Sequence, residues 1–206
     1  IMARHAFIAE TLLNSAIRRG AISLERVAWF KRSIQTVAIE CDRLLRAAQS
    51  GEQDIKNFIR LFGHLRPGSY DIRSPRYSDR PKLLSFEPDS VVPAPETFEA
   101  TNEEKQSLAV LFKENALGRV SSLRFFEYCK RAIAGREFGK FVFTRHLSDI
   151  LEAIARLGEQ ANMDRNALSY LRIEQLSSCQ NNDTNLIDPI KLNDQVTRAR
   201  EEWESQ

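Results

Sequence analysis

Residues 62–77, FGHLRPGSYDIRSPRY, concentrate the side chains of this chain that could do chemistry: one His, three Arg, one Asp and two Tyr, set among Pro and Gly. Guanidinium forks match the paired oxygens of phosphate or carboxylate, and clustered arginines beside a helix end favour an anion. From His64 to Lys82 there are five Arg or Lys and two Asp, a local charge of +3. Pro67 and Gly68 fit the two central positions of a type II turn, because Pro presets φ and Gly accepts positive φ. Such a turn would hold His64, Arg66 and Asp71 close together. Arg66, Arg73 or Arg76 would then bind anion oxygens, with His64 and Asp71 orienting them. The same residues fit a plainer role, in which Asp71 pairs with Arg66 or Arg76 and pins a loop.

A second candidate is REFGKFVFTRH, residues 136–146. On a helix Arg136, Lys140 and Arg145 fall on roughly one side, opposite Phe138 and Phe141. That side is either a solvated outer face or a basic rim turned to an anionic ligand or a partner domain. His146 by itself points to no chemistry. The chain has no Walker loop and no GxGxxG, HExxH or GxSxG motif. Its three His and three Cys lack metal-ligand spacing, and its acidic residues are scattered over helix surfaces. No catalytic residue, metal or cofactor is therefore expected within the chain.

The elements that must position these residues read as helices. Phe7, Ile8, Leu12, Leu13, Ala16 and Ile17 recur at helical spacing, and Gly20 supplies a stop. Ser23 is a candidate N-cap for one long helix whose seam runs Val27, Phe30, Ile34, Val37, Cys41 and Leu44 and ends near Gly51. Ile55, Phe58, Ile59 and Phe62 predict a shorter helix that Gly63 closes. Between His64 and Ala100 the periodicity vanishes, and six of the seven prolines fall there. The part to about Pro81 reads as ordered, and FEPDSVVPAPETFEA as an extended crossover. Thr101 and Glu104 spell a capping box, with Leu108, Leu111 and Phe112 facing inward until Gly118. Ser121 or Ser122 caps the next helix, carrying Leu123, Phe126, Cys129 and Ile133. Near Gly135 a new pattern starts, with Phe138, Phe141, Val142, Ile150, Ile154 and Leu157. Asp164 caps a short helix through Tyr170. After a polar loop at 181–185, Pro189 starts a last helix with Leu192, Val196 and Trp203 on its apolar face. The expected class is all-α: a bundle of seven to nine helices with one long Pro-rich crossover. It forms one helical domain over 1–206, with helices in 1–63, an Arg/Pro-rich loop in 64–100 and helices in 101–206.

At 206 residues the chain can bury a proper core, and 42% apolar with 28% charged residues is ordinary for a globular protein. A formal charge of +2 gives little drive toward nucleic acid, even through the clustered arginines. No apolar run reaches membrane-spanning length, so no membrane partner is expected. Cys41, Cys129 and Cys179 are far apart with no CxxC, which suits buried thiols and a reducing, cytoplasmic setting. The opening IMARHAFIAE and the closing QVTRAREEWESQ both read as cuts within a longer polypeptide.

GHLRPGSYDIRSPRY resembles the segment G-H-R-G-x-G-E-x-D-(I/L)-x-x-P-R-(W/Y) of phosphoenolpyruvate synthase-like phosphotransferases, rifampicin phosphotransferases included. Arg136, Glu137 and Lys140 resemble the R-E-x-x-K helix of that family. ARLGEQANMDRNALSYLRIEQL, residues 155–176, is similar to its L-G-x-x-L segment followed by D-(I/V)-F-Y-L-T-x-x-E-L, and VTRAREEW to the helix leading toward a swivelling phosphohistidine domain. His64, Asp71, Pro75 and Arg76 match the first motif, with Tyr77 in the aromatic place. Leu65 and Pro67 interrupt its Arg and Gly positions, Ser69 and Tyr70 replace its Glu-containing pair, and Asn166 sits where the later motif begins. These departures point to an outlying subgroup with its own acceptor.

The resemblance implies the helical middle of an ATP-dependent enzyme, between an ATP-grasp domain and a phosphohistidine domain of the same parent chain. In that parent a mobile histidine carries a phosphoryl group from ATP, with Mg²⁺, to a small anionic acceptor such as pyruvate. The chain alone would be inactive. It would shape the acceptor site or dock the swivelling domain, with His64, Arg66, Asp71, Arg73, Arg76, Tyr77, Arg136 and Lys140 near the substrate. The alternative is a self-standing helical interaction module that docks partners through its basic loop.

Overall fold

Nine helices and no strand make up the described residues, 1–80, 97–180 and 187–205, of the computed structural model. The all-α expectation holds. Residues 86–96 of the crossover read from the sequence, and its polar loop over 181–185, lie outside the described residues. Two compact units divide the chain: Ile1–Ile55 with Glu87–Val142, and Lys56–Phe86 with Phe143–Gln206. The partition cuts across the three parts read from the sequence, because each unit takes residues from both sides of the crossover.

In the first unit α1 (Met2–Arg18) ends where expected. Gly20 has a φ of 71°, and the N–H groups of Gly20 and Ala21 return to the carbonyls of Ile17 and Ala16, a Schellman close. Ser23 caps α2 (Leu24–Arg32), its hydroxyl accepting from the Arg26 N–H at 3.2 Å. The single long helix expected from Ser23 to Gly51 is instead broken. Ser33 Oγ donates back to the Phe30 carbonyl at 2.7 Å, and Thr36 opens a new helix, α3 (Val37–Gln49). Short hydroxyl side chains offer the backbone partners that compete with helix continuation. The apolar seam survives the break, since Ile34 between the two helices is buried with Val27 and Phe30.

The capping box at Thr101 and Glu104 starts α5 (Asn102–Glu114), with Thr101 accepting at 3.2 Å and Glu104 accepting at 2.8 Å. Glu104 also takes the Arg26 fork at 2.7 and 2.9 Å, and Arg26 and the capping bonds hold its carboxyl below the usual range. Long α6 (Ser122–Gln160) then runs without a break through Gly135, where the apolar pattern of the sequence restarts. Tertiary crowding explains this glycine. A Cβ on Gly135 would lie 3.0 Å from Met2 Cε, and one on Gly139 3.3 Å from Met2 Sδ, so α1 approaches where α6 has no side chains. Phe138, expected to face inward, is 55% exposed, and Val142 is exposed as well. The core of this unit forms from Leu13, Val27, Phe30, Leu108, Phe126 and Cys129 with their neighbours.

The second unit contains most of α4 (Ile55–Phe62) and the C-terminal part of α6. Asp164 caps α7 (Arg165–Leu168), accepting from Ala167 N–H at 2.7 Å. The helix expected to reach Tyr170 stops at Leu168, and α8 (Ile173–Ser178) follows. Asp188 caps α9 (Pro189–Glu204), whose first position is Pro189 as expected. Ile72, Ala155, Leu168, Cys179 and Leu192 form its core. All three cysteines are free thiols, Cys129 and Cys179 buried and Cys41 half-buried. Among the described residues no helix is long and apolar enough to cross a membrane.

Candidate functional site

After α4 the chain folds into a loop closed by its own backbone. Tyr77 N–H donates to the Leu65 carbonyl at 2.9 Å and Ser78 N–H to that of Gly63 at 3.0 Å. Inside the loop Gly68 N–H donates to Ser74 Oγ at 3.0 Å, and Asp71 N–H to the Gly68 carbonyl at 3.1 Å. The expected type II turn is absent, since the positive-φ glycines among the described residues are Gly20 and Gly51. Gly68 serves a different need. A Cβ there would lie 3.1 Å from Asp71 Cβ and 3.3 Å from Ser74 Cβ, so a side chain at this position would press those neighbours back by a few tenths of an ångström.

Arg66 anchors the loop to α6. Its side chain has no exposure, and its fork reaches Ser74 O at 3.0 Å, Ser148 Oγ at 3.0 Å and Glu152 Oε1 at 3.0 Å. Glu152 also accepts two bonds from Arg165, at 2.9 and 2.7 Å, and Arg165 donates to the Ile72 carbonyl at 3.1 Å. Hydrogen bonds from Arg165, with the field of Arg66, hold the Glu152 carboxyl below its usual range against burial. Burial pulls Arg66 down, and Glu152 opposes that shift. Ser148 is the hub: its hydroxyl donates to His64 O at 2.6 Å while receiving Arg66 and, at 2.9 Å, Arg76 Nε. Arg76 also reaches Asp149 at 2.7 Å.

The structure therefore revises the expected pairing. Asp71 takes Arg73, not Arg66 or Arg76, through Nε at 3.0 Å, a terminal nitrogen at 3.1 Å and the Arg73 N–H at 2.9 Å. Two residues apart, this pair forms without help from the fold. Arg66 is too deeply buried to meet a dissolved anion, and Arg76 is committed to α6, so both position the loop. Tyr77 lies against Phe58, with ring centroids 6.3 Å apart. Arg136 and Lys140 are exposed on the part of α6 that belongs to the first unit, where Arg136 sits 5.8 Å over the Phe7 ring. Sequence reasoning missed Ser148, Glu152 and Arg165. The available signal was Ser148 and Glu152, four residues apart and so on one helical face, within a helix otherwise read only for its apolar stripe.

His64 follows from the same packing. Burial first, then the charges of Arg145 and Arg76, push its pKa from an ordinary 6.5 down to about 4. The unfolded chain thus holds this proton more tightly. Stability present above pH ~6.5 is lost as the pH falls toward ~4, by at most about 3 kcal/mol. Thermal melts of the parent chain should fall across that window, and those of His64→Gln should fall less. Parallel curves for the two would rule out His64 as the titrating group.

Beside the loop, the second unit carries a cleft of about 1210 Å³, lined by residues 68–73, by Leu147, Ile150, Leu151 and Ile154 of α6, by the stretch around α8 and by the end of α9. Fold and loop together define an all-α protein whose arginine-rich segment is locked to a long helix by a buried Arg–Glu–Arg cluster. Scans of protein-family models, of curated proteins and of solved structures each returned no match to the chain.

Proposed function

We propose that this chain is a helical, non-catalytic region of a cytoplasmic ATP-dependent phosphotransferase of the phosphoenolpyruvate synthase type, forming walls of its acceptor site. The supporting observation is the meeting of its two most distinctive resembling stretches. Residues 63–77 and 155–176 are far apart in sequence, yet Arg165 bonds both Glu152 and Ile72 O, and both stretches line the same cleft. Clefts built from separate segments and carrying a few convergent polar groups are where ligands bind. ATP, Mg²⁺ and the phosphohistidine belong, in this reading, to other domains of the parent polypeptide. The docking alternative finds less support, because Arg66, Arg73 and Arg76 already face Glu152, Asp71 and Asp149.

The test uses the complete polypeptide that carries this chain. With radiolabelled ATP and Mg²⁺ it should acquire acid-labile, base-stable phosphate on a histidine outside these residues. Tyr70→Ala, at an exposed wall of the cleft, should leave that labelling intact and slow transfer onward to the acceptor. Absence of phosphohistidine would remove the enzyme reading, and unchanged onward transfer in Tyr70→Ala would remove the acceptor-site role.

A further inference from the structure

We infer that a concavity of the first unit binds a monocarboxylate carrying an apolar, ring-sized body. Every lining residue belongs to that unit, and the inference does not depend on the phosphotransferase reading. The concavity measures about 520 Å³, within the range of small-molecule sites, and lies between the start of α1 and the first half of α6. Arg124, Tyr128, Arg131 and Gly135 recur at steps of four, three and four, so α6 turns them to one side. Met2 and His5, about one turn apart on α1, form the opposite wall. The His5 ring meets α6 directly, its Nδ1 lying 3.1 Å from the Tyr128 hydroxyl.

Charge sets the class of ligand. Among the described lining residues Arg124, Glu127 and Arg131 are charged, a net +1 with His5 neutral. Glu127 is taken by Arg131, four residues on. The Arg124 guanidinium has no ion pair among the described residues, which leaves one unmatched cation a single turn from Tyr128. Its fork fits the two oxygens of one carboxylate. The Tyr128–His5 pair adds a donor whichever tautomer His5 adopts: if Tyr128 donates to Nδ1, the Nε2–H is left, and if Nδ1–H donates, the Tyr128 O–H is left. A dianion would set excess negative charge beside Glu127, and an uncharged compound gains nothing from Arg124. Toward Gly135 the lining turns apolar. Ala132 is buried, Gly135 has no side chain, and Met2, 45% exposed, comes close enough that a Cβ on Gly135 would lie 3.0 Å from its Cε. An apolar body seated there takes the methionine out of water, and pyruvate has no such body.

Two probes with the same ring separate charge from apolar contact: 1-naphthylacetate and its uncharged counterpart 1-naphthylacetamide. In calorimetric titration the chain should bind the carboxylate in a saturable, one-to-one manner with a Kd below about 1 mM, and the amide about tenfold more weakly. Arg124→Gln, at an exposed position, should bring the carboxylate down to the level of the amide with an unchanged melting temperature. Gly135→Leu, whose side chain displaces only the flexible tip of Met2, should fill the concavity and weaken both probes at least tenfold while the chain still melts cooperatively. Tyr70→Ala, in the cleft of the other unit, should change neither affinity. Pyruvate at about 10 mM should not displace the naphthyl compound. Absence of saturable binding, equal affinity for carboxylate and amide, full affinity in Arg124→Gln or in Gly135→Leu, loss of binding in Tyr70→Ala, or displacement by pyruvate would each overturn the inference. Phosphohistidine formation in the complete polypeptide bears on none of these outcomes, so this inference and the enzyme reading can fail separately.

Discussion

Replacing Glu152 with Ala should destabilise the chain by about 3–5 kcal/mol, the range for removing one partner of a buried ion pair. Arg66 has no exposed side-chain surface, so water cannot take over the charge that Glu152 now neutralises. Arg165 loses both of its carboxylate bonds in the same variant, but it is partly exposed and can hydrate. The loss concentrates on Arg66. At roughly 2–4 °C per kcal/mol for a chain of this size, the melting temperature should drop by about 10 °C, with a matching shift of the urea midpoint. Glu152→Gln, which keeps an acceptor and discards the charge, should fall between. A change below about 1 kcal/mol in the alanine variant would mean that Arg66 is hydrated and does not anchor the loop.

The second large effect is expected at Gly63, where Ala should cost about 2–3 kcal/mol as a local overpacking. A Cβ built there lies 2.3 Å from the Ile59 carbonyl oxygen and 3.0 Å from Ile59 Cγ2. Backbone sits on the other side of the clash, and backbone cannot step aside like the tip of a flexible side chain. Nor can Gly63 rotate freely, because its N–H donates to that same Ile59 oxygen at 2.8 Å and its carbonyl receives Ser78 at 3.0 Å. One of those bonds must stretch, and the Ser78 bond closes the loop. Limited trypsin digestion should therefore cut Gly63→Ala faster after Arg73 and Arg76 than the unsubstituted chain, alongside a lower denaturation midpoint. Equal cleavage and an unchanged midpoint would show that the loop tolerates a side chain at its entrance.

Much of the helical framework could be read from residue types a few positions apart. Ser23, Thr101 with Glu104, Asp164 and Pro189 all sit at helix starts, because a cap needs only the side chain and the next three backbone N–H groups. The same local reasoning failed where two local preferences competed. The apolar seam from Val27 to Leu44 continues in space, but Ser33 and Thr36 divert the backbone inside it. At Gly135 it failed in the opposite sense, since a glycine that looks like a boundary is an approach point for Met2.

By itself the sequence determined the all-α class, the capped helix starts and the gathering of arginines into one loop, all of which depend on contacts within a few residues. The Asp71–Arg73 pair belongs with these, being two residues long. Only the tertiary structure decided what the arginines do. Arg66 meets Glu152 across 86 positions and Arg76 meets Asp149 across 73, and pairing of that kind depends on which faces of the loop and α6 are buried together. A cluster that by composition reads as an anion trap becomes a set of matched charges, because the fold brings a carboxylate to Arg66 and to Arg76, beside the local Asp71–Arg73 pair.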